Sequence, residues 1–201
     1  MTTHERLGMP LGEAIYSLRA IRRHKPDPIP DEDIRAILDA AIQAPNGGNM
    51  QPWHFLVVTD SELRAEFAPL YHEAWWAKRH DSGWYTPEDL PDAYKSAMRL
   101  ADDIGDSPAL VFVCALAKGA AATNSIIPAV QNLLLAARAL GVGSTITTLH
   151  PSVEDRVHDL FGIPTSAQVV YCLPLGYPQG NFGPVSRNPV EQVSSFNRWG
   201  Q

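Results

Sequence analysis

The sequence predicts one α+β domain in which helices surround a small sheet. Three short runs are apolar and rich in β-branched residues, as expected for buried strands: FLVVT (55–59), ALVFVCAL (109–116) and AQVVYCLPLGYP (167–178). The segments between them show helical spacing of apolar residues, and no internal repeat or low-complexity linker interrupts them. The chain has 201 residues, 45% hydrophobic and 19% charged, which is enough for one sizeable core. We therefore treat residues 1–201 as a single domain.

Helices are predicted on both sides of the first strand. LGEAIYSLRAIRR (11–23) places Ile15, Leu18 and Ile21 on one side of a helix. PDEDIRAILDAAIQAP (30–45) has acidic residues in its first turn and apolar residues at i, i+3, i+4, i+7 and i+8, and Pro45 ends it. After the strand, Ser61 is expected to cap a further helix.

The second half of the chain predicts a central helix and a shorter one. Residues 125–140 are apolar nearly all round and so belong in the core. STITTL after them is short and β-prone. A helix then opens at Ser152, with Asp155 in the capping-box position and Gly162 as its stop. Residues 177–201 form a loop-rich C-terminal extension that ends in a short helix.

Residues 71–105 differ in character from the rest. Their tryptophans and tyrosines alternate with glycine, proline and charged residues, which favours a mobile or partly exposed helical excursion over core. Such a segment is suited to be a lid that stacks on planar substrates. The alternative is a surface helical pair that packs its own tryptophans together.

Charge and hydropathy exclude several classes of function. The formal net charge of −6 argues against a protein that binds nucleic acid or an anionic membrane, since either needs a basic surface. The N-terminus lacks the apolar core of a secretory signal, and IIPAVQNLLLAARAL is too short and too polar to span a bilayer. We expect a cytoplasmic location. Cys114 and Cys172 lie in strand-like runs and are expected to be reduced core residues.

The sequence contains no complete catalytic or metal-binding motif among those considered. His72 begins HEAWW, but a zinc protease motif needs a second histidine where Trp76 stands. The other histidines show no paired ligand spacing, so no metal site is expected. Gly141 and Gly143 follow a helix and do not join a strand to one, and neither a G-x-S-x-G elbow nor a Walker-A sequence occurs.

A basic cluster stands out in this acidic chain. Arg19, Arg22 and Arg23 share one face of the predicted helix at i, i+3 and i+4, and Lys25 follows. Guanidinium groups bind phosphate bidentately, so the cluster is a candidate anion site. The alternative is a set of solvated cations near a helix C-terminus. Arg187, in the Gly/Pro/Asn-rich tail, has the same two interpretations.

Four motifs, taken in order, resemble the FMN-dependent nitroreductase family. They are RAIRRHKPDPIP, AAIQAPNGGNMQPWHFLVVTD, PAVQNLLLAARALGVGSTITTL and LPLGYPQGNFGPVSRNPVEQV with a terminal RWG. The resemblance covers residues 12–200 except 71–105. It implies the nitroreductase-like fold, with a mostly antiparallel central sheet flanked by helices. It also implies an intertwined homodimer that holds one FMN in each of two interface sites.

The resemblance assigns cofactor-binding residues. Arg19, Arg22 and Arg187 would hold the phosphate, beside Ala20. The residues of the loop after the second helix would lie against the flavin of the partner subunit: Pro45, Asn46, Gly47 and Asn49. Another five would pass the reactive N5 edge of the ring: Thr145, Ile146, Thr147, Thr148 and Leu149. Gln131 and Asn132 enter the site or form a structural hydrogen-bonding node. Gln51 and Trp53 would position the loop, although Trp53 is equally suited to be a core aromatic.

One block departs from the family pattern. Many relatives read R-R-S-x-R, whereas this chain has Leu18 and Ala20 in place of the first arginine and the serine. One cation and one hydroxyl donor are therefore missing. Either the affinity for FMN is lower, or neighbours such as Arg23 or Lys25 substitute.

The implied function is an FMN-dependent NAD(P)H oxidoreductase. NADPH or NADH would deliver hydride to flavin N5, and a nitroaromatic, quinone or similar planar acceptor would then be reduced in a ping-pong relay. Because the cofactor carries the chemistry, no catalytic side chain is expected. The alternatives are another flavin reaction on the same fold (reductive dehalogenation, ene reduction or flavin fragmentation) or a flavin-binding dimer without turnover.

Overall fold

A computed structural model describes residues 3–200, with four strands and seven α-helices in that range. The strands are β1 (Trp53–Val58), β2 (Ala109–Ala115), β3 (Gly143–Ser144) and β4 (Gln168–Gly176). The helices are α1 (Thr3–Arg6), α2 (Leu11–Ser17), α3 (Asp31–Ile42), α4 (Ser61–His80), α5 (Asp92–Asp103), α6 (Ala120–Ala139) and α7 (Glu154–Phe161). The α+β class predicted from the sequence is confirmed.

The four strands form one antiparallel sheet in the order β1-β2-β4-β3. Trp53 pairs with Ala115 at one end of the β1-β2 ladder, and Val111 pairs with Leu173 in the β2-β4 ladder. All three long strands are where the apolar runs predict them. The STITTL run contributes only its first residue to a strand, because the chain leaves the sheet after Ser144.

Helices cover both faces of the sheet. Along β2, alternate side chains point to opposite faces, and every residue of this strand is buried. Val111 and Val113 join the core formed with α3 and α6, whereas Leu110 and Phe112 join the core formed with α4, α5 and α7. The result is a three-layer domain whose centre is the β2-β4 pair.

Helix α6 is longer than predicted. It begins at Ala120, five residues before the predicted start, directly after Gly119 with its left-handed φ of 114°. Its 20 residues are long and apolar enough to cross a membrane by length and composition, which differs from the expectation. In the fold, however, Ile126, Leu133 and Ala137 of this helix are fully buried, as suits the central helix of a globular core.

Three helix ends differ from prediction. Helix α2 stops at Ser17, so the predicted continuation through Arg23 is wrong. Asp60 caps α4 in place of Ser61, since its carboxylate accepts from the backbone N–H groups of residues 62 and 63. Helix α7 opens through a 3₁₀ turn (Pro151–Val153) without the Ser152–Asp155 capping box, although Gly162 does end it, with a φ of 63°.

The excursion of residues 71–105 packs into the domain more than expected. Helix α4 runs on to His80, and Tyr71 and Trp75 on it are buried. The guanidinium of Arg79 lies between the rings of Trp75 and Tyr94, 4.6 and 4.8 Å from their centroids, and so ties α4 to α5. Tyr85 is exposed. The tryptophans thus belong to the core side of the excursion, and its role as a lid stays a prediction.

Candidate active site

The arginine segment, residues 18–25, lies along the short strand β3. Ala20 forms a parallel bridge with Ser144, and the N–H of Ile21 donates to the carbonyl of Ser144 at 2.9 Å. Arg19 and Arg22 therefore do not share a helical face as predicted. Instead, they lie on either side of Ala20 and Ile21, whose backbone pairs with β3. Residues 145–149, which we call the edge segment, follow β3 directly in the chain.

The arginines of this segment lack acidic partners. Among residues 3–200, no carboxylate pairs with Arg19, Arg22 or Arg23, whereas Arg138 and Arg156 do form ion pairs. Arg22 is half-buried. Guanidinium groups left without a carboxylate in an acidic protein are available to an external anion.

The charge of Arg22 also acts on a buried tyrosine. Burial raises the pKa of Tyr71 to about 12, while the charge of Arg22 and the side chain of Thr147 act in the opposite direction.

The edge segment presents unpaired backbone donors. Thr147 pairs with Cys172 on β4 through two backbone hydrogen bonds of 3.1 and 2.9 Å, and its hydroxyl donates to the same carbonyl. In the described part of the chain, the N–H groups of Ile146, Thr148 and Leu149 donate to no other group. Thr145 is buried, whereas Ile146 is 47% exposed. An open row of N–H groups next to unpaired guanidiniums suits an anionic ligand that also carries hydrogen-bond acceptors.

Lys78, which the sequence analysis did not single out, holds the edge segment from α4. Its ammonium donates to the carbonyl oxygen of Thr148 and to its Oγ1, the latter at 2.6 Å. Burial lowers the pKa of Lys78 to about 8. A lysine within AWWAKRH was the available signal, but its partner lies 70 residues further along the chain.

A histidine and an aspartate make a second tie at the same place. His150 Nε2 lies 3.1 Å from Oδ2 of Asp81, the residue that follows α4. Its Nδ1 accepts from the backbone N–H of Ser152 at 3.2 Å. The C-terminal end of α4 is thereby joined to the chain on both sides of Leu149.

The glycine-asparagine loop, residues 45–51, has a constrained backbone. Gly48, Asn49 and Gln51 have φ values of 58°, 53° and 48°, in the left-handed region. Oδ1 of Asn46 accepts from the N–H of Gln51 at 2.8 Å and closes the loop. The backbone N–H of Gly47 donates to Ser125 Oγ on α6, with a distance of 3.4 Å between the nitrogen and the oxygen. The tight backbone leaves the loop face open for a flat ligand.

This loop and the edge segment are not joined within one chain. Among residues 3–200, no hydrogen bond or ion pair connects residues 45–49 with residues 145–149 or with Arg19 and Arg22. Trp53 at the end of the loop is buried in the core cluster of α3 and α6. The core-aromatic interpretation of Trp53 therefore holds.

The remaining predicted residues lie apart. Gln131 is exposed on α6, while Asn132 donates to the carbonyl of Ala40 at 3.2 Å and ties α6 to α3, a structural role. Arg187 is exposed and donates to the carbonyl of Ser186. Its side chain forms no hydrogen bond or ion pair with the arginine segment in the range that the structure describes.

Neither cysteine is suited to nucleophilic catalysis. Cys114 and Cys172 are buried free thiols, as predicted. Burial raises the pKa of Cys114 to about 11 and that of Cys172 further, so both remain protonated. Within residues 3–200, no group of three His, Cys, Asp or Glu side chains has a metal-binding arrangement.

Comparison with known proteins decides the family. The family model described as "Nitroreductase family" matches residues 15–177. The chain belongs to the nitroreductase family. A relative from Archaeoglobus fulgidus with the provisional name NADH dehydrogenase/NAD(P)H nitroreductase is 34% identical over 82% of this chain and 83% of its own.

Two further nitroreductase-family relatives are named for deiodination. Iodotyrosine deiodinase from Thermotoga neapolitana is 28% identical over 86% of this chain and 90% of its own. A crystal structure of oxidised iodotyrosine deiodinase bound to FMN and 3-iodo-L-tyrosine superposes with a TM-score of 0.77 at 26% identity, covering 94% of this chain and 100% of that one. The nitroreductase-like fold predicted from the motifs is thus confirmed, and these relatives are oxidoreductases.

Proposed function

We propose that this protein is an FMN-dependent NAD(P)H oxidoreductase that reduces nitroaromatics, quinones or similar planar acceptors. The observation that carries the proposal is the meeting of two features beside β3. The arginine segment, whose guanidiniums have no carboxylate partner in the described residues, pairs its backbone with β3, and the edge segment with its unpaired N–H groups follows β3 directly in the chain. One ligand with a phosphate and an acceptor-rich ring satisfies both.

The residues of the arginine segment fit the phosphate end of FMN. Arg19 and Arg22 would each donate to phosphate oxygens, and their lack of carboxylate partners leaves the charge undiminished. Ala20 bridges Ser144 through its backbone, and its methyl side chain supplies no hydroxyl donor. Two arginines, with Arg187 as a third in the assembled protein, would anchor the dianion.

The edge segment fits the ring end. N–H groups of Ile146, Thr148 and Leu149 would donate to the N5 and O4 edge, and they are oriented before binding because Thr147 is fixed on β4. FMN held there would supply the hydride chemistry between NADPH or NADH and the acceptor in a ping-pong relay. The protein's part is to bind the ring, shield it and stabilise its reduced form.

We propose an intertwined homodimer as the functional unit. The glycine-asparagine loop would lie against the partner's flavin, which accounts for a loop with an exposed, left-handed backbone that serves no site in its own chain. Large apolar side chains are exposed on α2 and in the C-terminal extension: Leu11, Ile15, Tyr16, Phe196 and Trp199. Burying them between two chains would remove this apolar surface from water. A cytoplasmic location, where NADPH and NADH are available, belongs to the same proposal.

Reductive dehalogenation is the second candidate, favoured by the deiodinase relatives. A dehalogenase would need charged side chains on the excursion to bind the charged ends of an amino acid, and two candidates, Glu73 and Lys95, already form ion pairs. Glu73 forms a bidentate pair with Arg156 at 2.9 and 2.5 Å, and Lys95 pairs with Asp92 at 2.6 Å. These pairs are why planar acceptors without an amino-acid group rank first. Ene reduction, flavin fragmentation and a flavin-binding dimer without turnover rank below both.

The first experiment is the visible spectrum of the purified, desalted protein, before and after anaerobic addition of NADPH and then NADH. We expect a flavin spectrum that bleaches with one donor and recovers with a quinone or nitroaromatic. Iodide release from 3-iodotyrosine with dithionite, without turnover of quinones, would instead establish the dehalogenase. A colourless protein that takes up no added FMN would contradict the flavin site itself.

A further inference from the structure

Lys78 connects the excursion to the edge segment at one peptide group. It lies in the last turn of α4, and its ammonium donates to both the carbonyl oxygen and the hydroxyl of Thr148. The side chain is half-buried, and it makes no ion pair with a carboxylate in the described residues. Taking a cation partly out of water is costly unless it gains hydrogen bonds, and Thr148 supplies acceptors for two of the three N–H groups of the ammonium.

The peptide that Lys78 contacts is fixed from the opposite side as well. Thr147 is paired with Cys172 on β4, and His150 is tied to Asp81 at the end of α4. The Thr148–Leu149 peptide is therefore held between a strand and a helix. Its own N–H, on Leu149, is one of the unpaired donors of the edge segment.

A charge on the carbonyl end of a peptide changes its N–H end. When an ammonium donates to the carbonyl oxygen, the peptide polarises and its N–H becomes a stronger donor. The bond is charge-assisted, which places it among the stronger hydrogen bonds of proteins. The Leu149 N–H thus gains donor strength on the side that faces away from Lys78.

We propose that Lys78 is a positioning residue that raises the reduction potential of the bound flavin by holding and polarising the Thr148–Leu149 peptide. The inference rests on the proposed function, because it assigns the Leu149 N–H to the flavin edge. Two-electron reduction places a hydrogen on N5 and leaves O4 more electron-rich than in oxidised flavin, so the inference assigns the Leu149 N–H to O4. A stronger N–H donor therefore binds the reduced form more tightly than the oxidised one.

The charged and titratable groups around Lys78 are few. Arg79 neighbours it on α4, Cys172 approaches it from β4, and the His150–Asp81 pair lies one turn further along. Burial and Arg79 both lower the pKa of Lys78, to about 8, while Cys172 stays a neutral thiol. The ammonium is thus present at neutral pH and is lost as the pH rises through 8.

The test measures FMN binding and midpoint potential in wild-type protein, Lys78→Met and Lys78→Arg. We expect Lys78→Met to retain oxidised FMN and to lose about tenfold in the ratio of affinities for reduced and oxidised FMN, which is about 30 mV for a two-electron couple. Lys78→Arg should keep most of the wild-type ratio. Lys118→Met, at an exposed loop position, is the matched control and should change nothing.

A pH series separates the charge of Lys78 from a purely structural role. Between pH 7 and pH 9, the potential of the wild-type protein should fall below that of Lys78→Arg, because arginine keeps its charge. If the potentials of the wild type and Lys78→Arg change in parallel with pH, the inference is overturned. It is also overturned if Lys78→Met keeps the wild-type ratio of affinities for reduced and oxidised FMN. Either result leaves the proposed function intact. Should Lys78→Met fail to fold, the pH dependence of the potential in the wild type and in Lys78→Arg decides alone. Wild-type protein that binds no FMN would overturn the proposed function and this inference together.

Discussion

Ile21 packs directly on Gly143, and a Cβ at position 143 would lie 2.6 Å from Cγ2 of Ile21. The same Ile21 donates its N–H to Ser144. This contact joins the arginine segment to β3, so it sets the distance between the proposed phosphate and ring ends of the site.

Gly143→Ala should therefore disturb both stability and ligand binding. The added methyl must displace Ile21, and overpacking of this kind costs about 1–3 kcal/mol in the free energy of unfolding. We expect weaker FMN binding as well, since Arg19 and Arg22 move with Ile21. Urea unfolding and FMN titration measure the two effects. Gly12→Ala, where an added Cβ meets nothing within 4 Å, is the control and should stabilise or leave the protein unchanged. A Gly143→Ala variant as stable as wild type would contradict this packing.

The same contact explains one failure of sequence reasoning. Spacing of Ile15, Leu18 and Ile21 predicted a helix through Arg23, yet Ile15 is 49% exposed and only Ile21 is buried. The edge of β3 offers Ile21 a backbone partner and an apolar contact at Gly143, and neither can be read from local spacing. The strands were predicted well because their signal, a buried run of β-branched residues, is local.

Lys78 is the second feature that sequence reasoning did not predict. The family motifs located the arginine segment, the loop and the edge segment, and the structure brings the first and last of these together. Lys78 reaches Thr148 only because α4 continues past Tyr71 to His80 and so passes the edge segment. A contact between residues so distant in the chain leaves no periodic pattern, so the sequence alone did not indicate it.

Replacing Arg22 tests the phosphate end. Arg22→Ala removes a charged hydrogen-bond donor, and such bonds contribute about 1.5–3 kcal/mol, so we expect FMN affinity to fall about 10- to 100-fold. Affinity for riboflavin, which lacks the phosphate, should not change. Fluorescence titration with both ligands provides the measurement. Arg35→Ala, at an exposed position of α3, is the matched control. Equal losses for FMN and riboflavin would remove Arg22 from the phosphate site.

Arg187→Ala should weaken FMN retention without affecting the fold. Its side chain is exposed and donates only to the neighbouring Ser186 carbonyl in the described chain, so its loss costs little stability. Dialysis of the holoprotein, followed by the flavin absorbance, shows retention, and circular dichroism shows the fold. Unchanged retention would exclude Arg187 from the site.

Gln51→Gly should stabilise the protein. Gln51 has a φ of 48°, and a non-glycine residue pays about 1 kcal/mol for a left-handed backbone. Glycine also raises the entropy of the unfolded chain, so we expect a net gain of only about 0.5 kcal/mol. The control is Gln43→Gly, where φ is −74° and glycine should destabilise. Thermal unfolding of both variants measures the difference, and a destabilised Gln51→Gly would contradict the assigned backbone.

His24 should make the protein sensitive to acid. It is 9% exposed, Nδ1 lies 3.1 Å from Ser107 Oγ, and Nε2 has no partner in the described residues. Burial lowers the pKa of His24 from the ordinary 6.5 to about 4, against a weaker opposing effect of a backbone hydrogen bond at Ile21. The unfolded chain therefore binds a proton between pH 6.5 and 4 that the folded chain does not bind.

The sign of the effect follows from that difference. The stability that depends on neutral His24 is complete above pH 6.5 and falls as the pH drops towards 4, by about 3 kcal/mol in all. His24→Gln cannot take up this proton, so its free energy of unfolding should change less between pH 7 and pH 4.5 than that of the wild type. Urea unfolding of the FMN-free protein at both pH values measures the change, with exposed His54→Gln as the control. Equal acid sensitivity of His24→Gln and wild type would show that His24 is not held neutral in the fold.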